Sequence, residues 1–255
     1  MRSRGAIASV LAVAEPPAPV SLYDGLLTTR AIRRYVDEPV PEQVLRDILF
    51  AATRAPSGSN RQPFRFVVLT DGPVAREAKR LIGQGASRFW STKREADGYD
   101  RGSGREAGSP KARMARTMQR YVDEFETVPV LVLACYVRYR DTTAFADGAS
   151  VYPACENLLL AARALGYGGV MTGWHFSAEA ELRELLHIPD GVELAATITL
   201  GRPEGNHGPV RRRPLPELVF GDRWGQAPAW AVDPEGTAYT SAGPPPPDRG
   251  AAGVA

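Results

Sequence analysis

Apolar positions along the chain follow a helical rhythm in some stretches and form short unbroken runs in others. Between residues 41 and 53, Val44, Leu45, Ile48, Leu49 and Ala52 recur at three- and four-residue spacing, which makes one stripe of a helix. Pro41 suits its first position, and Pro56 ends it. A short strand is predicted over 66–69 and another over 194–200, the latter entered through the turn Ile188-Pro-Asp-Gly191. Residues 128–137 are apolar almost without a break, the pattern of a strand buried on both faces. Residues 151–165 predict a core helix, apolar on most sides and closed by Gly166-Tyr-Gly-Gly169. Ser177 is the expected cap of the next helix, with Glu179 and Glu181 near its positive end and Leu182, Leu185 and Leu186 facing inward. Residues 91–113 are polar and contain Gly98, Gly102, Gly104, Gly108 and Pro110. They predict a mobile excursion of the kind that serves as a lid, ahead of a helix at 115–125.

Residues 1–20 and 226–255 hold much of the proline, including Pro244 to Pro247, and show little periodicity. They read as flexible tails on one folded unit, residues 21–225. An apolar share of 44% with 24% charged residues gives that unit a core to bury. A net charge of +2 is too small to imply a nucleic-acid or membrane partner, and no run approaches the length of a membrane span. Cys135 and Cys155 have no CxxC spacing and sit among apolar neighbours, which suits a reducing cytoplasm. The start of the chain, with Arg2, Arg4 and an alanine-rich run, copies a signal peptide only faintly.

Four segments suit an anionic, planar ligand. In TTRAIRRY (28–35), Arg30, Arg33 and Arg34 can clamp a phosphate through fork-like hydrogen bonds, although a solvated charged face would look the same. In the loop Pro56-Ser-Gly-Ser-Asn-Arg-Gln-Pro63, small residues free the backbone, while Ser57, Ser59, Asn60, Arg61 and Gln62 supply donors, as they would in a plain polar turn. Gly168-Gly-Val-Met-Thr-Gly173 lacks the spacing of either glycine-rich phosphate loop, and its glycines would let amides approach a ring system instead. Arg211-Arg-Arg-Pro214 is a basic cluster that could equally be an exposed knot. No one of the four decides the matter.

Taken in order, the pieces TTRAIRRY, APSGSNRQPFRFVVL, PACENLLLAARALGYGGVMTG and LGRPEG with RRRPLPELV resemble the nitroreductase family over about residues 22–224. The resemblance implies an α+β fold, a mixed sheet flanked by helices in an intertwined homodimer, with non-covalent FMN at the interface and NAD(P)H as co-substrate. It implies that Arg30 and Arg33, beside Ala31 and Arg34, bind the phosphate with Arg211 or Arg212. Pro56, Ser57, Gly58, Ser59, Asn60 and Arg61 would line the cofactor from the opposite subunit, and Met171, Thr172 and Gly173 would lie near the flavin N5. Ala31 stands where many members have serine, and Phe64 stands where tryptophan is common.

The flavin would do the difficult chemistry, passing hydride equivalents from NAD(P)H to a nitroaromatic, quinone or similar small electron acceptor. That fits a chain whose only histidines, His175, His187 and His207, lack metal-ligand spacing; His187 and His207 read as structural, and His175, just after the glycine-rich segment, reads as structural or as a substrate contact. Alternatives are a flavin store or sensor without turnover, or another flavin chemistry on the same fold: dehalogenation, flavin degradation or azoline oxidation.

Overall fold

The computed structural model describes residues 20–140 and 145–240. At its centre is a sheet of four strands, β1 (Phe64–Leu69), β2 (Val130–Val137), β3 (Gly168–Thr172) and β4 (Val192–Gly201), in the order β1-β2-β4-β3. Around it lie α1 (Leu22–Thr28), α2 (Glu42–Ala52), α3 (Pro73–Ala96), α4 (Pro110–Asp123), α5 (Tyr152–Ala164) and α6 (Glu179–Leu185). The missing alternation in β2 has a direct cause. Successive side chains point to opposite faces, and both faces are covered. Leu131, Leu133 and Cys135 join the core formed with α3, α4 and α6, whereas Val130, Val132 and Ala134 join the core formed with α2 and α5.

Every pairing is antiparallel, so among the described residues the expected mixed sheet is not formed. β2 and β3 do run the same way, as a helical crossover between them requires, but β4 lies between them and runs against both. Opposite Ala134 and Cys135 the register skips Ala195, an extra residue that reverses the side-chain parity of β4. Leu194 therefore points into the α3 core, while Ala196, Ile198 and Leu200 point into the α5 core.

Two other expectations are corrected. The excursion at 91–113 shrinks to 97–109, because the buried stripe of Ala75, Ala78, Ile82, Ala86 and Trp90 carries α3 onward to Ala96. α4 then begins at Pro110, with the Ser109 hydroxyl accepting the Ala112 N–H at 3.0 Å, and ends before the expected position. Ser177 caps nothing: it lies in a short 3-10 turn, its hydroxyl donates to the Trp174 carbonyl, and Ala178 precedes α6. Beyond β4 the chain follows the surface, and residues 233–240 fold back on 212–215, where the Leu215 N–H reaches the Asp233 carboxylate at 2.9 Å. No helix of the described residues is long and apolar enough to cross a membrane.

Candidate functional site

Residues 27–36 and 202–210 run side by side, held where Val36 N–H donates to the Arg202 carbonyl, Glu204 N–H to the Arg34 carbonyl and Val210 N–H to the Leu27 carbonyl. Arg211 and Arg212 thus emerge beside the segment that carries Arg30, Ala31, Arg33 and Arg34. The same segment meets the outer edge of β3, where Ile32 N–H donates to the Gly169 carbonyl at 2.9 Å. This close approach explains two glycines differently from the reading above. A Cβ on Gly168 would fall 2.6 Å from Ile32, and one on Gly169 would fall 2.3 Å from the Thr199 carbonyl, so both glycines serve packing, not ligand contact.

Among the described residues, Arg30, Arg33, Arg34, Arg211 and Arg212 form no ion pair. Nearby cations are matched: Arg120 bridges Glu124 and Glu204, and Arg213 holds Glu217. Arg33 Nε and Thr29 Oγ1 are buried without a hydrogen-bond partner among the described residues, as is His207 Nδ1. Burial draws the Arg33 guanidinium below its ordinary range, and neighbouring Arg30 acts in the same direction, against Tyr121 and Tyr35. A desolvated, unmatched cation with spare donors is stabilised by an anion. Arg33, with Arg30 beside it, therefore fits a phosphate.

Beyond Gly169, no other segment of the described residues hydrogen-bonds to the backbone edge of β3. Met171 is 40% exposed there, followed by half-buried Thr172 and exposed Gly173. The arginine segment meets β3 at Gly169, two to four residues before this exposed end. Phe176 closes over Gly173, where a Cβ would lie 2.6 Å from the ring.

The loop 56–62 has its own character. Ser59, Asn60 and Gln62 all adopt positive φ, near 50°, a region costly for side chains and frequent at functional sites. It is held by hydrogen bonds from Gly58 N–H to the Ser150 hydroxyl (3.1 Å) and from Gln62 N–H to the Ser57 hydroxyl (2.9 Å). Arg61 lies over the Tyr139 ring at 4.8 Å. Pro56, Ser57 and Gly58 line a cleft of about 420 Å³ with Tyr139, Arg140 and Ser150. Sequence reading passed over Ser150 and Tyr139, which stand far from the loop in the chain and carry no motif.

The structure brings together three of the four predicted segments and leaves the loop apart. The loop leads into β1, one outer strand, whereas the arginines flank β3, the other. With strands about 4.8 Å apart, that is about 14 Å across the sheet. The two places also lie at opposite ends of it: Phe64 pairs with Tyr136, whereas Gly169 pairs with Leu200, which in turn pairs with Val130.

A model of the nitroreductase family matches residues 26–202. The chain belongs to the nitroreductase family. It is 32% identical over 199 residues to an NADH dehydrogenase of Thermus thermophilus, covering 76% of this chain and 92% of that protein. It is 26% identical over 210 residues to a 4-nitrobenzoate reductase of Nocardioides sp., covering 74% and 83%. A nitroreductase structure from Desulfovibrio desulfuricans, in complex with FMN, superimposes with a TM-score of 0.59 at 27% identity, over 80% of this chain and 98% of that one. The α+β fold expected from the sequence is that of this family.

Proposed function

We propose that this nitroreductase-family chain works as a homodimer, each subunit binding one non-covalent FMN, and reduces a small nitroaromatic or quinone with electrons from NAD(P)H. The oxidoreductase class, the flavin and the nicotinamide donor come with family membership and with relatives that are an NADH dehydrogenase and an FMN complex. The acceptor class rests on the similarity to a 4-nitrobenzoate reductase.

The observation that carries the cofactor is Arg33, desolvated with a buried Nε that has no partner among the described residues, beside Arg30 on the segment that is bonded to β3 and runs alongside the chain leading to Arg211 and Arg212. Arg30, Arg33, Arg211 and Arg212 would hold the phosphate. Met171, Thr172 and Gly173 would face the ring of the same cofactor, while Ser57, Ser59, Asn60 and Arg61 would reach it from a second chain. That division is favoured because one subunit keeps the loop and the arginines on opposite outer strands. A second copy would also cover apolar surface: Leu22 and Tyr23 of α1 are 73% and 68% exposed, and Trp230 is 72% exposed. When bound, FMN supplies the hydride and electron transfer. The chain's task is to bind, orient and shield, and His175 is too deeply buried to exchange protons with a substrate. The free, buried thiols of Cys135 and Cys155, pushed by burial up to about 11 and about 12, suit a cytoplasmic protein.

The test is the visible spectrum of the purified protein, followed by anaerobic addition of NADH or NADPH and then of 4-nitrobenzoate or a quinone. A flavin spectrum that bleaches with the nucleotide and returns with the acceptor is expected. A colourless protein overturns the reading, and a flavin that neither nucleotide bleaches makes the chain a flavin carrier.

A further inference from the structure

One buried histidine fastens the turn after β3 to the sheet. The backbone N–H of His175 donates to Thr197 Oγ1 at 3.2 Å, its Nδ1 lies 3.0 Å from the same oxygen, and its Nε2 lies 3.0 Å from the Leu194 carbonyl oxygen. A carbonyl can only accept, so Nε2 carries the hydrogen. Nδ1 is then an acceptor, and the Thr197 hydroxyl donates to it. Both side chains are wholly buried, and these contacts use the available ring and hydroxyl hydrogens. Burial also holds the imidazole below its ordinary range and so keeps it neutral, against the Leu194 carbonyl and Glu179.

Thr197 is the cross-strand partner of Thr172. The chain therefore leaves the sheet at Thr172, turns through Gly173 and Trp174, and is tied at His175 to the residue opposite its point of departure. Trp174 packs on Tyr121 and Phe125 at 5.1 and 5.6 Å between ring centres, and Phe176 lies 4.2 Å from the imidazole while closing over Gly173. Such a closed loop leaves the 171–173 backbone little freedom to move without His175.

We propose that His175, acting through Thr197, is a positioning residue that sets the 172–173 backbone against the flavin ring. The inference rests on the FMN reading above and deepens it by assigning the ring half of the site a support separate from the arginines. Its signature differs accordingly. Phosphate arginines distinguish FMN from riboflavin, whereas a ring-side support does not.

Thr197→Val removes the hydroxyl at nearly constant shape, Thr197→Ser retains it, and His175→Asn keeps an acceptor near Nδ1 but loses the Nε2 donor. Thr197→Val and His175→Asn are expected to weaken FMN and riboflavin alike, by about tenfold. They should also alter the bound flavin's absorption bands and shift its midpoint potential; a tenfold change in preference between oxidised and reduced flavin is about 30 mV for a two-electron couple. Thr197→Ser should restore all three. If Thr197→Val is insoluble, His175→Asn against the unaltered protein carries the same readouts; if His175→Asn is insoluble, Thr197→Val against Thr197→Ser carries them; and if both are insoluble, Thr197→Ala, which loses the hydroxyl in a smaller side chain, takes their place. The proposal is overturned if Thr197→Val and His175→Asn keep the unaltered spectrum and potential, or if either loses FMN while keeping riboflavin. An unaltered protein that binds no flavin overturns the FMN reading and this inference together, whereas flavin binding with inert variants overturns this inference alone.

Discussion

Ile32 donates its amide to the carbonyl of Gly169 at 2.9 Å, and this bond sets the arginine segment against the outer edge of β3. Arg30 and Arg33 are therefore anchored by backbone on either side of Ile32, and Arg211 and Arg212 are anchored through Val210 and Leu27. A charge-assisted hydrogen bond contributes roughly 1.5–3 kcal/mol, so removal of one arginine should weaken FMN about ten- to a hundredfold. Arg30→Ala and Arg212→Ala should purify folded but depleted of flavin, with riboflavin affinity changed far less. Titration of the apoproteins with both flavins decides this, and wild-type FMN affinity in both variants would make the arginines ordinary surface charges.

Lys79 is a buried cation that forms no ion pair among the described residues, Asp71 acting on it only from a distance. It is 5% exposed, and its Nζ donates to the Thr70 carbonyl at 2.6 Å and the Val128 carbonyl at 2.7 Å, joining the end of β1 to the approach to β2. Lys79→Met keeps most of the stem yet leaves both carbonyls without this donor, so a loss of roughly 1–3 kcal/mol is expected. The urea midpoint of the apoprotein should fall with an unchanged slope. An unmoved midpoint would show that water replaces the ammonium at no cost.

Two histidines give the apoprotein a defined acid response. Burial lowers the pKa of His175, and it lowers that of His207 with added repulsion from Arg163 and Arg30, both from an ordinary 6.5. Below 6.5 the unfolded chain takes up protons that the folded chain refuses, so stability is full above that pH and is lost as pH falls toward the lowered folded values. Asp71, Glu77, Asp100 and Glu204 titrate below their ordinary 3.8 or 4.5, outside this window. Urea midpoints should therefore drop between pH 7.5 and 5.5, and less steeply in a His207→Asn variant. Equal slopes in variant and unaltered protein would remove His207 from the account.

The hydrophobic pattern was enough to place α2, α5, β2 and β4, because each buries a stripe or run that dominates its neighbours. It failed at β3, whose Gly168 and Gly169 look like a loop. Only the close approach of Ile32 and Thr199 explains them, and that approach is tertiary. Likewise α3 overruns a polar stretch because its buried stripe lies upstream. The site residues were legible as chemical types in separate segments, but which segments meet depends on strand order. Antiparallel β4 between β2 and β3 left no trace in the spacing. His175 read from the sequence as structural or as a substrate contact, and its double contact with Thr197 needed the register to be seen.

Strand order leads to the sharpest test of the dimer. If each FMN takes its phosphate clamp from one chain and its loop from the other, two differently damaged chains can build one intact site between them. Arg30→Ala spoils the clamp. Asn60→Ile spoils the loop, since a β-branched residue is strained at the observed φ of 52° and the amide that bonds Gln62 is lost. Each variant alone should purify nearly free of flavin. Co-expressed with two different tags and isolated through both, the mixed dimer pairs the good clamp of one chain with the good loop of its partner, and the two damaged halves with each other. It should hold one FMN per dimer, half the occupancy of the unaltered protein. A site built within a single chain predicts none, because each chain of the mixed dimer would carry its own defect. Flavin content near zero in the doubly purified mixed dimer, with the unaltered dimer full, would therefore place loop and clamp in the same subunit and refute the shared site.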